Sequence, residues 1–137
     1  MSDNNSPIQN NPKRNNFQIV IAEDDVSIAN LLKLQLEIAG YKVEVANSGN
    51  QAVKTILQLK PSFILMDINM PELNGFEVID ELKKQDYDMR SFKLIFLSNS
   101  STPGDITKAK EYSAGYKIKA ELSPKELIDV IDSSFNL

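Results

Sequence analysis

The chain has 137 residues, 42% of them hydrophobic, enough for one sizeable core and too few for two ordinary domains. Its net charge is −4 and its 15 basic residues are scattered rather than gathered into a stripe, which argues against direct nucleic-acid binding. There is no cysteine and no histidine, so thiolate or imidazole chemistry has to come from elsewhere, and with no membrane-length apolar run and no signal-peptide h-region the expected location is the cytoplasm, away from membranes.

Residues 1–16 hold six Asn, two Pro and only Met1 and Ile8 as large apolar residues. Such a composition does not offset the entropy of ordering a chain, so a disordered tail is expected there, followed by one domain over residues 17–137. From Phe17 onward short apolar runs alternate with amphipathic segments, the pattern of repeated βα units. The predicted strands are Phe17–Ala22, Tyr41–Ala46, Ser62–Met66, Phe92–Leu97 and Gly115–Lys119. The runs Ile19–Ala22, Phe63–Met66 and Leu94–Leu97 within the first, third and fourth are apolar throughout, as expected of parallel strands covered on both faces, and these three belong in the middle. The second and fifth alternate apolar with charged residues and belong at the edges. Right-handed crossovers then select a doubly wound five-stranded parallel sheet in the order 2-1-3-4-5, an α/β fold of the flavodoxin-like kind with five helices. Leu34, Leu36 and Ile38 alternate like a strand, but their helix-favouring neighbours and the stop at Gly40 predict the first helix. Ser48-Gly49-Asn50-Gln51 offers a capping box for the second, and Ser123-Pro124-Lys125-Glu126 opens the last.

Glu23-Asp24-Asp25 follows the first strand, Asp67 ends the third and Ser98 the fourth. In an open α/β sheet ligands bind beyond the carboxyl ends of the strands at the switch point, here between strands one and three, so Glu23, Asp24 and Asp67 converge. Close carboxylates repel by about 4 kcal/mol per pair at an effective dielectric of 20, so something positive must sit among them. An all-oxygen ligand set suits a hard cation, magnesium, and Lys119 at the end of the fifth strand adds a cationic contact. A carboxylate nucleophile at such a site would form an aspartyl phosphate. Asp25 reads as the cap of the first helix, and Pro71 and Asn74-Gly75 are also ordinary turn residues.

Ile19-Val20-Ile21-Ala22-Glu23-Asp24-Asp25, Phe63-Ile64-Leu65-Met66-Asp67-Ile68-Asn69-Met70-Pro71 with Gly75, Leu97-Ser98 and Tyr116-Lys117-Ile118-Lys119 together resemble the receiver domain of two-component response regulators, over about residues 17–137. The resemblance implies that Asp67 is the phosphoacceptor and that Mg2+ is bound by Glu23, Asp24, Asp67 and the Asn69 backbone carbonyl. It implies that Ser98 is the switch hydroxyl, Lys119 the ion-pair partner of the phosphoryl group and Tyr116 the aromatic that moves with Ser98. Lys117 is the alternative to Lys119, which the Tyr-x-x-Lys spacing favours. A sensor histidine kinase or a histidine phosphotransfer protein would donate the phosphoryl group. The expected output is noncovalent contact with an unidentified protein, with a phosphorylation-dependent dimer as one form, because the chain ends just after its fifth helix.

The sequence departs from the family at Ala120, where many members have a Pro with a cis bond. Asn99, where a small Ala is common, and the polar run Ser100-Ser101-Thr102 leave the phosphoryl lifetime open. The expected protein is a signalling domain that takes part in its own phosphotransfer and dephosphorylation rather than an enzyme. Two alternatives remain: a receiver-like module that signals without phosphorylation, and a haloacid-dehalogenase-type phosphatase, which needs a second acid where this chain has Asn69.

Overall fold

The computed structural model describes residues 7–99 and 102–137. Residues 1–6 of the expected tail, and Ser100 and Ser101 of the polar run, lie outside the described residues. Five parallel strands, β1 (Gln18–Ala22), β2 (Lys42–Ala46), β3 (Phe63–Asp67), β4 (Lys93–Ser98) and β5 (Gly115–Ile118), form one sheet in the order 2-1-3-4-5. Helices α1 (Val26–Ala39), α2 (Gly49–Leu59), α3 (Gly75–Lys84), α4 (Pro103–Glu111) and α5 (Pro124–Ser134) connect and follow them.

The apolar central strands feed two separate cores because successive side chains point to opposite faces. Val20, Ala22, Ile64, Met66, Leu94 and Phe96 pack under α2, α3 and α4. Ile19, Ile21, Phe63, Leu65, Ile95 and Leu97 pack under α1 and α5. The edge strands β2 and β5 carry the alternating patterns, and Lys42, Glu44, Gly115 and Lys117 are exposed. The strand-like alternation in α1 also has its cause: Leu36 is fully buried, while Leu34 and Ile38 are 56% and 48% exposed. Its buried stripe therefore holds few residues, and the end signals define the helix. Asp25 accepts a hydrogen bond from the Ile28 N–H, and Gly40 closes the helix at φ +117°, a left-handed conformation that costs glycine little.

Ser48 accepts from the Gln51 N–H, but the Gln51 side chain reaches the Asn47 N–H rather than Ser48, so the expected capping box is half formed. The reciprocal box stands at Asn74 and Glu77, at the start of α3. β5 stops at Ile118, one residue short of the expectation, and Lys119–Glu121 forms a 3-10 turn. Described peptide bonds are all trans, Lys119–Ala120 included.

The larger difference is at the amino end. Residues 7–16 were expected to be disordered, yet Pro12–Asn16 forms a 3-10 turn capped by the Asn11 side chain. The Arg14 guanidinium donates to both Asp132 carboxylate oxygens at 2.9 and 2.7 Å, and also to the Gln9 and Ala39 carbonyls. Tyr41 donates its hydroxyl to Asp132 at 2.6 Å, and Phe17 stacks on Phe135 with ring centroids 4.0 Å apart. Composition misses this because one planar, multiply bonded arginine supplies what apolar burial does not. Arg14→Ala leaves the Asp132 charge with the Tyr41 hydroxyl alone, so urea unfolding should show a loss of about 3 kcal/mol. The double variant Arg14→Ala/Asp132→Asn should recover part of it, whereas equal losses would show that the ion pair itself contributes little.

Candidate functional site

The parallel register brings the strand ends together. Ala22 is level with Met66, Asp67 with Leu97, and Ser98 with Ile118. Glu23 continues β1 by donating its N–H to the Ala46 carbonyl at 2.9 Å, and Ile68 continues β3 by donating to the Leu97 carbonyl at 3.1 Å. Glu23, Asp67 and Ser98 are thereby buried, at 0%, 2% and 2% exposure, while Asp24 stays exposed at the rim.

Carboxylate oxygens of Glu23, Asp24 and Asp67 lie within 4.8 Å of one another. Lys119 reaches in from the end of β5, making an ion pair with Glu23 Oε1 and approaching Asp67 Oδ2 to 3.2 Å. Two backbone amides add to the set: Asn69 N–H donates to Asp67 Oδ1 at 3.2 Å, and Asp25 N–H to Glu23 Oε2 at 3.2 Å. Lys117, the alternative cation, is exposed on β5. Glu23, Asp24 and Asp67, the acids expected to converge, thus occupy one crevice with Lys119, while the Asp25 side chain caps α1.

One ammonium faces three carboxylates. Burial, reinforced by Glu23, pushes the Asp67 carboxyl up to about 8 despite the opposing pull of Lys119. Burial also raises Asp24, but hydrogen bonds with Asp67 and Glu23 outweigh it and hold Asp24 below the ordinary carboxylate range. Burial lowers the Lys119 ammonium, yet its two carboxylate neighbours more than compensate and its pKa is raised. Without another cation, a proton on Asp67 relieves the excess negative charge at neutral pH. A hard divalent ion that accepts oxygen ligands and keeps several waters fits this donor set, and magnesium has that chemistry.

A family profile described as the response regulator receiver domain matches residues 19–132. This chain belongs to that family. Response regulator SaeR of Staphylococcus aureus is 30% identical over 110 residues, covering 80% of this chain and 46% of that protein. The chain therefore spans about half the length of the curated relatives it matches. The receiver domain of Francisella response regulator 1452 superposes with a TM-score of 0.77 at 26% identity, covering 88% of this chain and 97% of that one. Vibrio cholerae chemotaxis protein CheY4 superposes at 0.76 with 25% identity, covering 85% and 97%. Receiver domains are signalling domains of two-component systems that interact with histidine kinases.

In this receiver Ser98 is the last residue of β4, and Tyr116 lies on β5 level with Phe96, packed against the core beneath α4. Asn69 is exposed at the mouth of the crevice. Two neighbours escaped sequence reasoning. The Asn47 side chain donates to the Glu23 carbonyl, and Gly49 packs against Leu73. Ser48-Gly49 read only as a helix start, and no signal in the chain shows that it abuts residues more than twenty positions away.

The raised Asp67 pKa sets the sign of a pH effect. The folded chain holds this proton up to about 8, against 3.8 for the ordinary group, so the stability it contributes is complete below about pH 4 and is lost as pH rises toward 8. In metal-free buffer, Asp67→Asn should be more stable than wild type at pH 8, with the gap closing as pH falls toward 4. Urea denaturation across that range checks it, and a pH-independent gap would contradict the assignment.

Proposed function

We propose that this receiver accepts a phosphoryl group on Asp67 from a phosphohistidine of a sensor histidine kinase or a histidine phosphotransfer protein. The observation that carries the reading is a buried carboxylate at the end of β3, set beside two more carboxylates and a single ammonium. Glu23, Asp24, Asp67 and the Asn69 carbonyl would hold Mg2+, which as a Lewis acid neutralises charge on the phosphoryl oxygens. A carboxylate oxygen of Asp67 attacks phosphorus as the bond from phosphorus to the donor imidazole nitrogen breaks. The bonding pair returns to that nitrogen, and the acyl phosphate remains on Asp67. Lys119 moves from balancing carboxylates to pairing with a phosphoryl oxygen, and the Ser98 hydroxyl donates to another. The rival phosphatase reading needs a second acid where this chain has Asn69, whose side-chain amide is not a general acid or base.

The signal follows from the same contacts. Ser98, drawn toward Asp67, vacates space behind β4 on the face where Tyr116 packs under α4. The helix is loosely held there, since Ala109 is its one buried residue, and a face with two packings is what a charge change can bias. Output is then a phosphorylation-dependent contact on the surface made by α4, β5 and α5, with another protein or a second copy.

Incubation with Mg2+ and a small-molecule phosphodonor should add one phosphoryl mass, labile to hydroxylamine, and Asp67→Asn should take up none. Phosphate mapped to Ser98 would refute the chemistry. Asp24→Asn should weaken Mg2+ binding by about tenfold, about 1.4 kcal/mol, in a titration followed by amide shifts. Ser98→Ala should still accept phosphate but lose the chemical-shift changes over residues 104–120 that a phosphoryl mimic induces in wild type. Equal changes in both proteins would remove Ser98 from the relay.

A further inference from the structure

The turn between β2 and α2 touches both loops that supply the acidic site. On one side the Asn47 side chain donates its Nδ2–H to the Glu23 backbone carbonyl at 3.1 Å, next to the Ala46–Glu23 backbone bond of 2.9 Å. Asn47 is itself fixed, because its N–H donates to Gln51 Oε1 at 2.6 Å, one turn into α2. On the other side Gly49 N–H donates to the Pro71 carbonyl at 3.3 Å. The fit there is tight: a Cβ on Gly49 would stand 2.2 Å from the Leu73 carbonyl oxygen and 2.5 Å from the Leu73 Cβ.

The loop resting on Gly49 is under strain. Glu72 has φ +73°, and the Leu73 N–H donates to the Pro71 carbonyl at 2.9 Å, so Pro71-Glu72-Leu73 is a γ-turn with positive φ at a residue other than glycine. Such a conformation costs on the order of 1–3 kcal/mol and persists only where surroundings enforce it. The loop ends are pinned independently. Asn69 N–H bonds Asp67 Oδ1, Gly75 N–H bonds the Ile68 carbonyl at 2.8 Å, and Gly75 lies against the Asp67 carbonyl, where a Cβ would stand 2.6 Å away. With both ends fixed, the support under its middle sets the path of residues 69–74.

We infer that Asn47 and Gly49 are positioning residues that brace the Glu23–Asp24 loop and the Asn69–Asn74 loop at a fixed separation, and so set the spacing of the metal ligands. This rests on reading Glu23, Asp24, Asp67 and Asn69 as the magnesium site. Neither residue touches the metal or the phosphoryl group. Asn47 acts through the backbone at Glu23, and Gly49 acts by leaving room for Leu73. A ligand set displaced by a few tenths of an ångström suits magnesium poorly, because that ion demands near-ideal octahedral geometry.

The test uses the full chain with Gly49→Ala, Asn47→Ala and, as a control of lowered stability far from the crevice, Arg14→Ala. Amide hydrogen exchange is measured without metal, and Mg2+ affinity by amide chemical shifts. Gly49→Ala should speed exchange over residues 69–74 by about tenfold and weaken Mg2+ binding by about tenfold. Asn47→Ala, which removes one hydrogen bond and folds even if Gly49→Ala does not, should speed exchange at residues 23–25 and weaken Mg2+ binding by about threefold. Arg14→Ala should leave both readouts at wild-type values. Unchanged exchange at the two loops, or equal effects from Arg14→Ala, overturns the brace. A wild-type protein that binds no Mg2+ overturns the metal reading instead, and the exchange measurement still decides whether the two loops are braced.

Discussion

Three carboxylates share one crevice with a single ammonium, and two of them, Glu23 and Asp67, have almost no access to water. Water would screen that repulsion and the sheet interior does not, so the arrangement lasts only because the fold opposes it from all sides. Strands β1 and β3 fix the backbones on which Glu23 and Asp67 stand, and β5 delivers Lys119 from the edge. The Asn69 and Asp25 amides supply further donors. The unbalanced negative charge suits a divalent cation, and without one a proton on Asp67 offsets part of it.

The sheet beneath the site keeps its strand ends in place. The two cores under the central strands are apolar and close-packed, so the strand ends cannot drift relative to one another. At the opposite end of the sheet the Arg14, Tyr41 and Asp132 network ties the amino-terminal segment to the end of α5, and Phe17 stacked on Phe135 closes the same corner. The looser region is α4, anchored by Ala109 and by the ring of Tyr112, which meets Phe76 and Phe96 while its hydroxyl bonds Asp80. Rigid strands around the acids beside one lightly held helix is the distribution of stability expected of a switch, in which the moving element comes from the less stable part of the fold.

The sequence by itself determined the sheet. Apolar runs at Ile19–Ala22, Phe63–Met66 and Leu94–Leu97 read as doubly covered strands, the half-polar runs at Lys42 and Tyr116 read as edges, and right-handed crossovers then selected the strand order. It also determined which chemical groups meet, because acids placed directly after buried strands are carried to the same end of a parallel sheet, and the Asp67-to-Gly75 and Tyr116-to-Lys119 spacings are family patterns. Tertiary structure decided the rest, for reasons of distance along the chain. Arg14 finds Asp132 118 residues away, and a composition rule that counts apolar residues is blind to one guanidinium with four hydrogen bonds. Ser48-Gly49 looks like any helix start until Leu73 is laid against it. The upward shift of Asp67, too, depends first on its own burial and then on Glu23 beside it, and burial is a property of the packed sheet that no local stretch of residues encodes.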